Sequence, residues 1–207
     1  IKNSPDEFSK TQNDMIPPSS TLENRWWENM GLWSILSSNP NSWASAVGNI
    51  LNSSADDFVL LQETKIFRES TRKSAGTTAR RLGWSHCIGT ARPTCGTMGS
   101  GGCAVLARKG TGICNKFERI VPESISHRVT IAWVSAIARG GFYLVSVYLR
   151  DGVGMNCEIQ MVCEHVASVV RCLEGPCVLS GDWNMGPSTL AKSGFLGMVD
   201  GAIFAPE

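Results

Sequence analysis

The sequence predicts an α/β (α+β) fold, specifically a four-layer α/β/β/α sandwich, on three observations. Apolar runs of strand length alternate with helical patterns. Two neighbouring strand patterns are joined by a tight glycine turn instead of a helix, so antiparallel hairpins mix with helical crossovers. Two of the runs, Phe58-Val-Leu-Leu-Gln-Glu-Thr-Lys65 and Cys177-Val-Leu-Ser-Gly-Asp-Trp-Asn184, end abruptly in acidic and amide residues. A doubly wound parallel sheet would not need the hairpin, whereas two packed sheets with helices outside would.

Taken in order, residues 1–24 are rich in Ser, Pro, Asn, Asp and Lys, lack periodicity and contain Pro17-Pro18. They read as a disordered or loosely held arm ahead of a partial domain over 25–207. Trp26, Trp27 and Trp33 lie in 25–36, a segment compatible with a strand and a turn. A helix follows Pro40 and Asn41, with Trp43, Val47, Ile50 and Leu51 on one stripe. Asp56 and Asp57 mark the turn before a strand at 58–62, and a second helix over 69–82 turns Ala75, Ala79 and Leu82 inward. Trp84 to Ile88 is a strand, 89–102 a long Gly/Thr/Ser/Pro loop, and 103–107 a buried strand. Strands at 128–137 and 142–149 meet at Arg139-Gly140-Gly141, a hairpin signal. The clearest helix spans 155–173, where Met155, Ile159, Val162, Val166, Val169, Val170 and Leu173 recur on one face until Gly175-Pro176 ends it. A strand at 177–180 follows.

The 207 residues suit one domain with a sizeable core, and 43% apolar content with near-zero net charge (+1) shows no overall attraction to nucleic acid. No apolar run approaches the roughly 20 residues of a membrane span, and the first residues have no apolar signal core. The expectation is an intracellular protein, nuclear or cytoplasmic, without a membrane partner. None of the eight cysteines forms a Cys-x-x-Cys pair and the three histidines do not complete a zinc site, so the cysteines read as small buried hydrophobes in a reducing compartment.

The candidate functional residues sit at strand ends. Glu63 supplies the carboxylate that a hard divalent cation prefers. Asp182 and Asn184 flank Trp183, and an extended backbone turns both to one side, where Asp182 can deprotonate a water that Asn184 holds. Gly181 permits an unusual backbone or a close approach. Tyr148 can donate to a phosphate oxygen, and Arg150 lies on the same side if the strand persists. Ser100-Gly101-Gly102 lets backbone approach a substrate, with Gly102 as the candidate. His127-Arg128 reads as a surface pair ahead of one that faces a phosphodiester, and Arg80, Arg81 and Arg92 are candidates for a nucleic-acid backbone, with a solvated helix face the default for Arg80 and Arg81.

In order, Leu61-Gln62-Glu63, Gly101-Gly102-Cys103-Ala-Val-Leu106, Ser146-Val-Tyr148 and Gly181-Asp-Trp-Asn184 resemble the endonuclease/exonuclease/phosphatase superfamily over about residues 25–200. The nearest flavour is the retroelement-type or abasic-endonuclease-like domain. The resemblance implies hydrolysis of phosphate esters with Mg2+ or Mn2+, and nucleic acid as partner, DNA ahead of RNA. It puts Glu63 and Asn29 on the metal, Asn29 filling the early strand-end position. It gives Asp182 the water, Asn184 its support and Tyr148 the phosphate. The family pattern closes on Ser-Asp-His, which nothing after Asn184 matches. The expectation is therefore a domain incomplete at its C-terminus and of reduced or no activity as it stands. Two alternatives share the fold: a non-catalytic binding or scaffold module, and a small-molecule or inositol phosphate phosphatase.

Overall fold

The computed structural model describes residues 26–94, 98–115, 120–135 and 140–204. The arm over 1–24, Cys95 and Arg139 of the hairpin turn lie outside them. Two four-stranded sheets form the centre. The first has the order β1 (Ile35–Ser38), β2 (Phe58–Leu61), β6 (Ala104–Arg108), β3 (Trp84–Ile88). The second has the order β10 (Cys177–Asp182), β9 (Phe142–Tyr148), β8 (Val129–Val134), β7 (Ile113–Cys114). A small hairpin of β4 (Arg92–Pro93) and β5 (Gly99–Ser100) stands apart, inside the predicted loop.

Each sheet has one parallel pair at one side. β1 runs parallel to β2, with Ser38 opposite Leu61, and β10 runs parallel to β9, with Asp182 opposite Tyr148. The remaining pairings are antiparallel. The sheets stack with matching order: β1 faces β10, β2 faces β9, β6 faces β8 and β3 faces β7.

The side-chain alternation of β2 explains the layering. Phe58 and Leu60 point to the second sheet and join a cluster with Val105, Ala132 and Leu144. Val59 and Leu61 point the other way, to Ala75 and Ala79 of α3 (Glu69–Arg81) and Ala46 of α2 (Trp43–Ala46). A strand covered on both faces reads as a continuous apolar run, and all four residues of β2 are buried. A third cluster sits outside the second sheet, where Val145 and Val147 meet Ile159, Val162 and Val166 of α4 (Cys157–Arg171) and Phe195 of α6 (Phe195–Val199). Three apolar interfaces between four layers are the expected α/β/β/α sandwich.

The helices follow their sequence signals. Ser42 caps α2, its Oγ accepting from Ser45 N at 3.1 Å, and the helix continues as a π-helical turn over Val47–Leu51. Asn156 caps α4 in the same way, its Oδ1 accepting from Ile159 N at 2.9 Å. The segment 25–36 holds a one-turn helix, α1 (Trp26–Asn29), before β1, where a strand and turn were expected. Two short helices, α5 (Pro187–Lys192) and α6, follow β10 where no element was predicted. Proline at the first position of α5 starts it, and the Phe195 ring packs 5.5 Å from Trp183.

The sheets are also joined by hydrogen bonds. Gln62 is 1% exposed and sends its Nε2 to Ser146 Oγ at 3.0 Å, and Ser146 Oγ donates to the Leu61 carbonyl at 2.9 Å. This polar link spans the sandwich next to Glu63, so burying two polar side chains fixes the register of one sheet on the other. Among the described residues no helix is long and apolar enough to cross a membrane, and the described cysteines form no disulfide. Cys87, Cys103 and Cys163 are the buried hydrophobes expected, but Cys157 and Cys172 are exposed.

Candidate active site at the ends of four parallel-paired strands

The carboxyl ends of β1, β2, β9 and β10 meet at one end of the sandwich. β1 delivers Asn39, whose Nδ2 donates to Asp182 Oδ2 at 2.7 Å. β2 delivers Glu63, and β9 delivers Tyr148. Burial, then the hydrogen bond and charge of Glu63, hold the Tyr148 phenol well above its ordinary pKa. The negative charge of Asp182 pushes it the same way. The phenol therefore stays protonated at neutral pH.

The strand-end position expected for Asn29 belongs to Asn39. Asn29 is the exposed last residue of α1, before the strand begins. Asn39 precedes Pro40, which biases it to extended backbone and carries it past the end of β1. Its Oδ1 accepts from Asn41 N at 3.0 Å, so the side chain is held at both ends.

Glu63 is fixed through its backbone. Thr64 N donates to Gly102 O at 2.9 Å, Lys65 N to Gly101 O at 3.0 Å, and Thr64 O accepts from Trp43 N at 3.0 Å. Glu63 and Lys65 adopt φ of 51° and 57°, in the left-handed region that costs a side-chain-bearing residue about 1–2 kcal/mol. Asn41 (64°) and Asn184 (49°) share it, so four of the five described non-glycine residues there gather at this end; Asp200 is the fifth. Strain held in place by surrounding hydrogen bonds marks a site where geometry outranks stability. Lys65 Nζ stands 3.8 Å from Glu63 Oε2 and donates to Asn41 Oδ1.

Gly102 acts through position. Its N–H donates to His127 O at 2.7 Å and its carbonyl accepts from Thr64 N, so both backbone groups are engaged in holding the Glu63 loop. Its φ is 85°, and a Cβ there would lie 2.7 Å from Thr64 Oγ1. The close approach that glycine permits at this point is of the protein's own Thr64 and Ala91. Gly181 is similar, since a Cβ would collide with the Val147 carbonyl of β9.

Asn184 is displaced from its expected geometry. β10 ends at Asp182 and Asn184 turns left-handed, so the same-side argument of an extended chain does not apply. Its Nδ2 donates to the Leu149 carbonyl at 2.7 Å and its backbone N–H to Asp182 Oδ1 at 3.2 Å. Asp182 thus receives Asn39 on one oxygen and the Asn184 backbone on the other. β9 likewise ends at Tyr148, so Arg150 lies beyond it and is exposed, and strand alternation no longer carries it to the site.

His127-Arg128 is not a surface pair. Arg128 is 8% exposed, its guanidinium 5.9 Å from the Tyr148 ring centre and 3.1 Å from Glu158 Oε1. Burial and the charges of Arg128 and Arg92 push the His127 imidazole down to about 4, with Glu158 opposing. Behind them, burial lifts the Cys103 thiol to about 12. Among the described residues no three His, Cys, Asp or Glu side chains gather as a metal cage. A Mg2+-type ion takes one or two carboxylates and keeps its waters, so the hard oxygens of Glu63 and Asn39 suit such an ion.

No family model matches the chain, and no curated protein does. Solved structures do match. An AP endonuclease from Leishmania major aligns at 16% identity and a TM-score of 0.52, over 72% of this chain and 54% of that one. A 3'-5' exonuclease from Neisseria meningitidis aligns at 19% and 0.53, over 80% and 69%. D. rerio TDP2, solved with a single-strand DNA product, aligns at 16% and 0.50, over 77% and 64%. This chain thus spans about half to seven tenths of the length of these structures. Layer order, strand pairing and these alignments agree: the chain has the fold of the endonuclease/exonuclease/phosphatase superfamily.

Proposed function

We propose that this chain carries the divalent-metal half of a phosphodiester hydrolase acting on nucleic acid, with DNA the preferred substrate. One observation carries the reading. Four polar residues, Asn39, Glu63, Tyr148 and Asp182, an amide, a phenol and two carboxylates, are brought to one end of the sandwich by four different strands and tied to one another in pairs. The neighbours of the same fold include an AP endonuclease, a 3'-5' exonuclease and a protein solved with a single-strand DNA product, which supports nucleic acid as the substrate class.

Each residue has a task that follows from its position. Glu63 and the Asn39 amide oxygen would hold Mg2+ or Mn2+, which would neutralise charge on a phosphoryl oxygen. Asp182, oriented by the Asn39 amide and the Asn184 backbone N–H, accepts the proton of the attacking water. Tyr148 keeps its proton and would turn its single O–H from Glu63 to a non-bridging phosphate oxygen when substrate binds. Asn184 holds the turn that presents Asp182, and Gly102 holds the loop that presents Glu63. Arg128, behind the Tyr148 ring, adds positive charge near the phosphate position.

The test is nicking of supercoiled plasmid with Mg2+, with Mn2+ and with a chelator. The expected result is metal-dependent nicking that falls by roughly a hundredfold to ten-thousandfold in Asp182→Asn. Nicking that survives in Asp182→Asn and Glu63→Gln together would sink the assignment.

A further inference from the structure

An open groove of about 500 Å³ runs down the flank of the sandwich between α3 and the edge strand β3. One wall is a single face of α3, with Arg72, Gly76 and Arg80 at four-residue spacing and Lys73 and Thr77 beside them. The floor is His86 of β3. From residue 72 to 80 the helix advances about 12 Å. Glu69 offsets one cation, its Oε2 lying 2.8 Å from Arg72 Nε, so Lys73 and Arg80 leave the wall positive.

The groove is built around a glycine and a histidine. A Cβ on Gly76 would lie 2.6 Å from His86 Nε2, so any larger residue would displace the ring from the helix. His86 Nε2 lies 3.2 Å from Arg80 Nη1, and Thr77 Oγ1 accepts from Arg80 Nη2 at 3.2 Å. Burial and the Arg80 charge lower the His86 pKa, so the neutral ring accepts from the guanidinium. Arg80 is thereby held at two points with donors to spare.

The groove also points at the candidate active site. β3 and β2 both pair antiparallel with β6, so they run in the same direction. The end of β3 at Ile88 therefore lies at the same end of the sheet as Glu63, and Arg72 Nη1 reaches the Ile88 carbonyl at 3.5 Å. A strand leaving the site across this edge enters the groove at Arg72 and leaves it at Arg80. A nucleic-acid strand carries one charge per roughly 3.4 Å of duplex axis, so about 12 Å of cationic helix matches a run of about three phosphates.

We propose that the α3/β3 groove binds the phosphate backbone of the nucleic-acid strand outside the active site, with Lys73 and Arg80 as its contacts. This rests on the nucleic-acid reading of the site. The test measures binding of a fluorescent single-stranded oligonucleotide of about 20 nucleotides by anisotropy, across about 50–200 mM NaCl. Lys73→Gln/Arg80→Gln is expected to weaken binding about tenfold or more at low salt. It should also reduce the slope of log K against log salt by about 1.4, near 0.7 per lost contact. Lys73→Arg, which keeps the charge, should preserve both, and hydrolysis of bis(p-nitrophenyl) phosphate, too short to reach the groove, should be unchanged in all variants. Unchanged affinity and slope in the double variant would overturn the proposal. So would an equal loss on the small diester, or binding of a polyglutamate probe as tight as that of the oligonucleotide. Groove-dependent binding with nicking that survives in Asp182→Asn and Glu63→Gln together would remove the hydrolase reading of the site and leave the groove standing.

Discussion

The same strands have two unlike ends. At their amino ends, Trp33 ahead of β1, Phe58 opening β2 and Phe142 opening β9 form one aromatic cluster. The Trp33 and Phe142 rings stack at 4.7 Å, and Phe58 meets each edge-on at 5.8 Å. At their carboxyl ends the same strands deliver Asn39, Glu63 and Tyr148, with Asp182 from β10, on backbone that is left-handed at Glu63 and at Asn184. One end buries large rings in ordinary geometry; the other gathers charge in strained geometry. The difference teaches where stability is made and where it is given up. A sandwich fastened at its aromatic end tolerates strained backbone and gathered charge at the other end of the same strands.

Substitutions at the two ends should then separate folding from chemistry. The largest effect on stability is expected at the aromatic end: Phe142→Ala removes both ring contacts and should cost about 3–5 kcal/mol. For a domain of this size that lowers Tm by about 10 °C, readable by calorimetric melting. At the polar end, Asn39→Ala removes the amide donor to Asp182 but no apolar packing. A hydrogen bond to a charged group contributes about 1.5–3 kcal/mol, so activity should fall roughly tenfold to a hundredfold. Tm should move little, and a melting curve beside the plasmid assay distinguishes the two. Equal damage to Tm by both substitutions would erase the comparison.

Between the ends, Gln62→Leu probes the polar link. The substitution leaves Ser146 Oγ with its donation to Leu61 and deprives it of the Gln62 donor. Loss of a buried partner costs about 1–3 kcal/mol, and chemical denaturation should show it as a lower midpoint with an unchanged slope.

A further effect is on pH dependence. His127 has a folded pKa of about 4 against an ordinary value of 6.5, so the unfolded chain binds more protons between those values. Its contribution is full above about 6.5 and is lost as pH falls towards 4. Tm should decline over that window, and His127→Asn should flatten the decline. A steeper decline in the variant would place the titrating group elsewhere.

How much of this was legible in the sequence depends on how each strand is buried. β2 and β9 lie inside their sheets with both faces covered, so they read as continuous apolar runs and Glu63 and Tyr148 stand out at their ends. β1 is an edge strand of four residues, Ile35-Leu-Ser-Ser38, half of them polar, and the apolar pattern is too short to mark Asn39. The Asn39-Pro40 pair was the available signal, since proline forces its predecessor out of helical backbone. Asn29, the candidate in Glu28-Asn29-Met30-Gly31, lies instead in a one-turn helix too short to show periodicity. Asp182 was legible because the apolar run Cys177-Val-Leu179 opens β10, although β10 is an edge strand without a buried residue. The geometry of Asn184 was not legible. A left-handed asparagine after a strand looks identical in sequence to a continuing strand. The layer order followed from the mixture of hairpin and crossovers, while α5 and α6, of six and five residues, are too short for a helical stripe.

Calorimetric titration with Mn2+ of the parent chain and of Glu63→Gln tests the central claim most directly. The polar end, in this account, gives up stability to hold a divalent ion. Binding by the parent is expected, with at least about tenfold weaker binding by Glu63→Gln and the Tm of the ion-free proteins unchanged. Equal Mn2+ affinity in two folded proteins, or a Glu63→Gln chain that melts well below its parent, would mean that Glu63 serves the fold and not the ion.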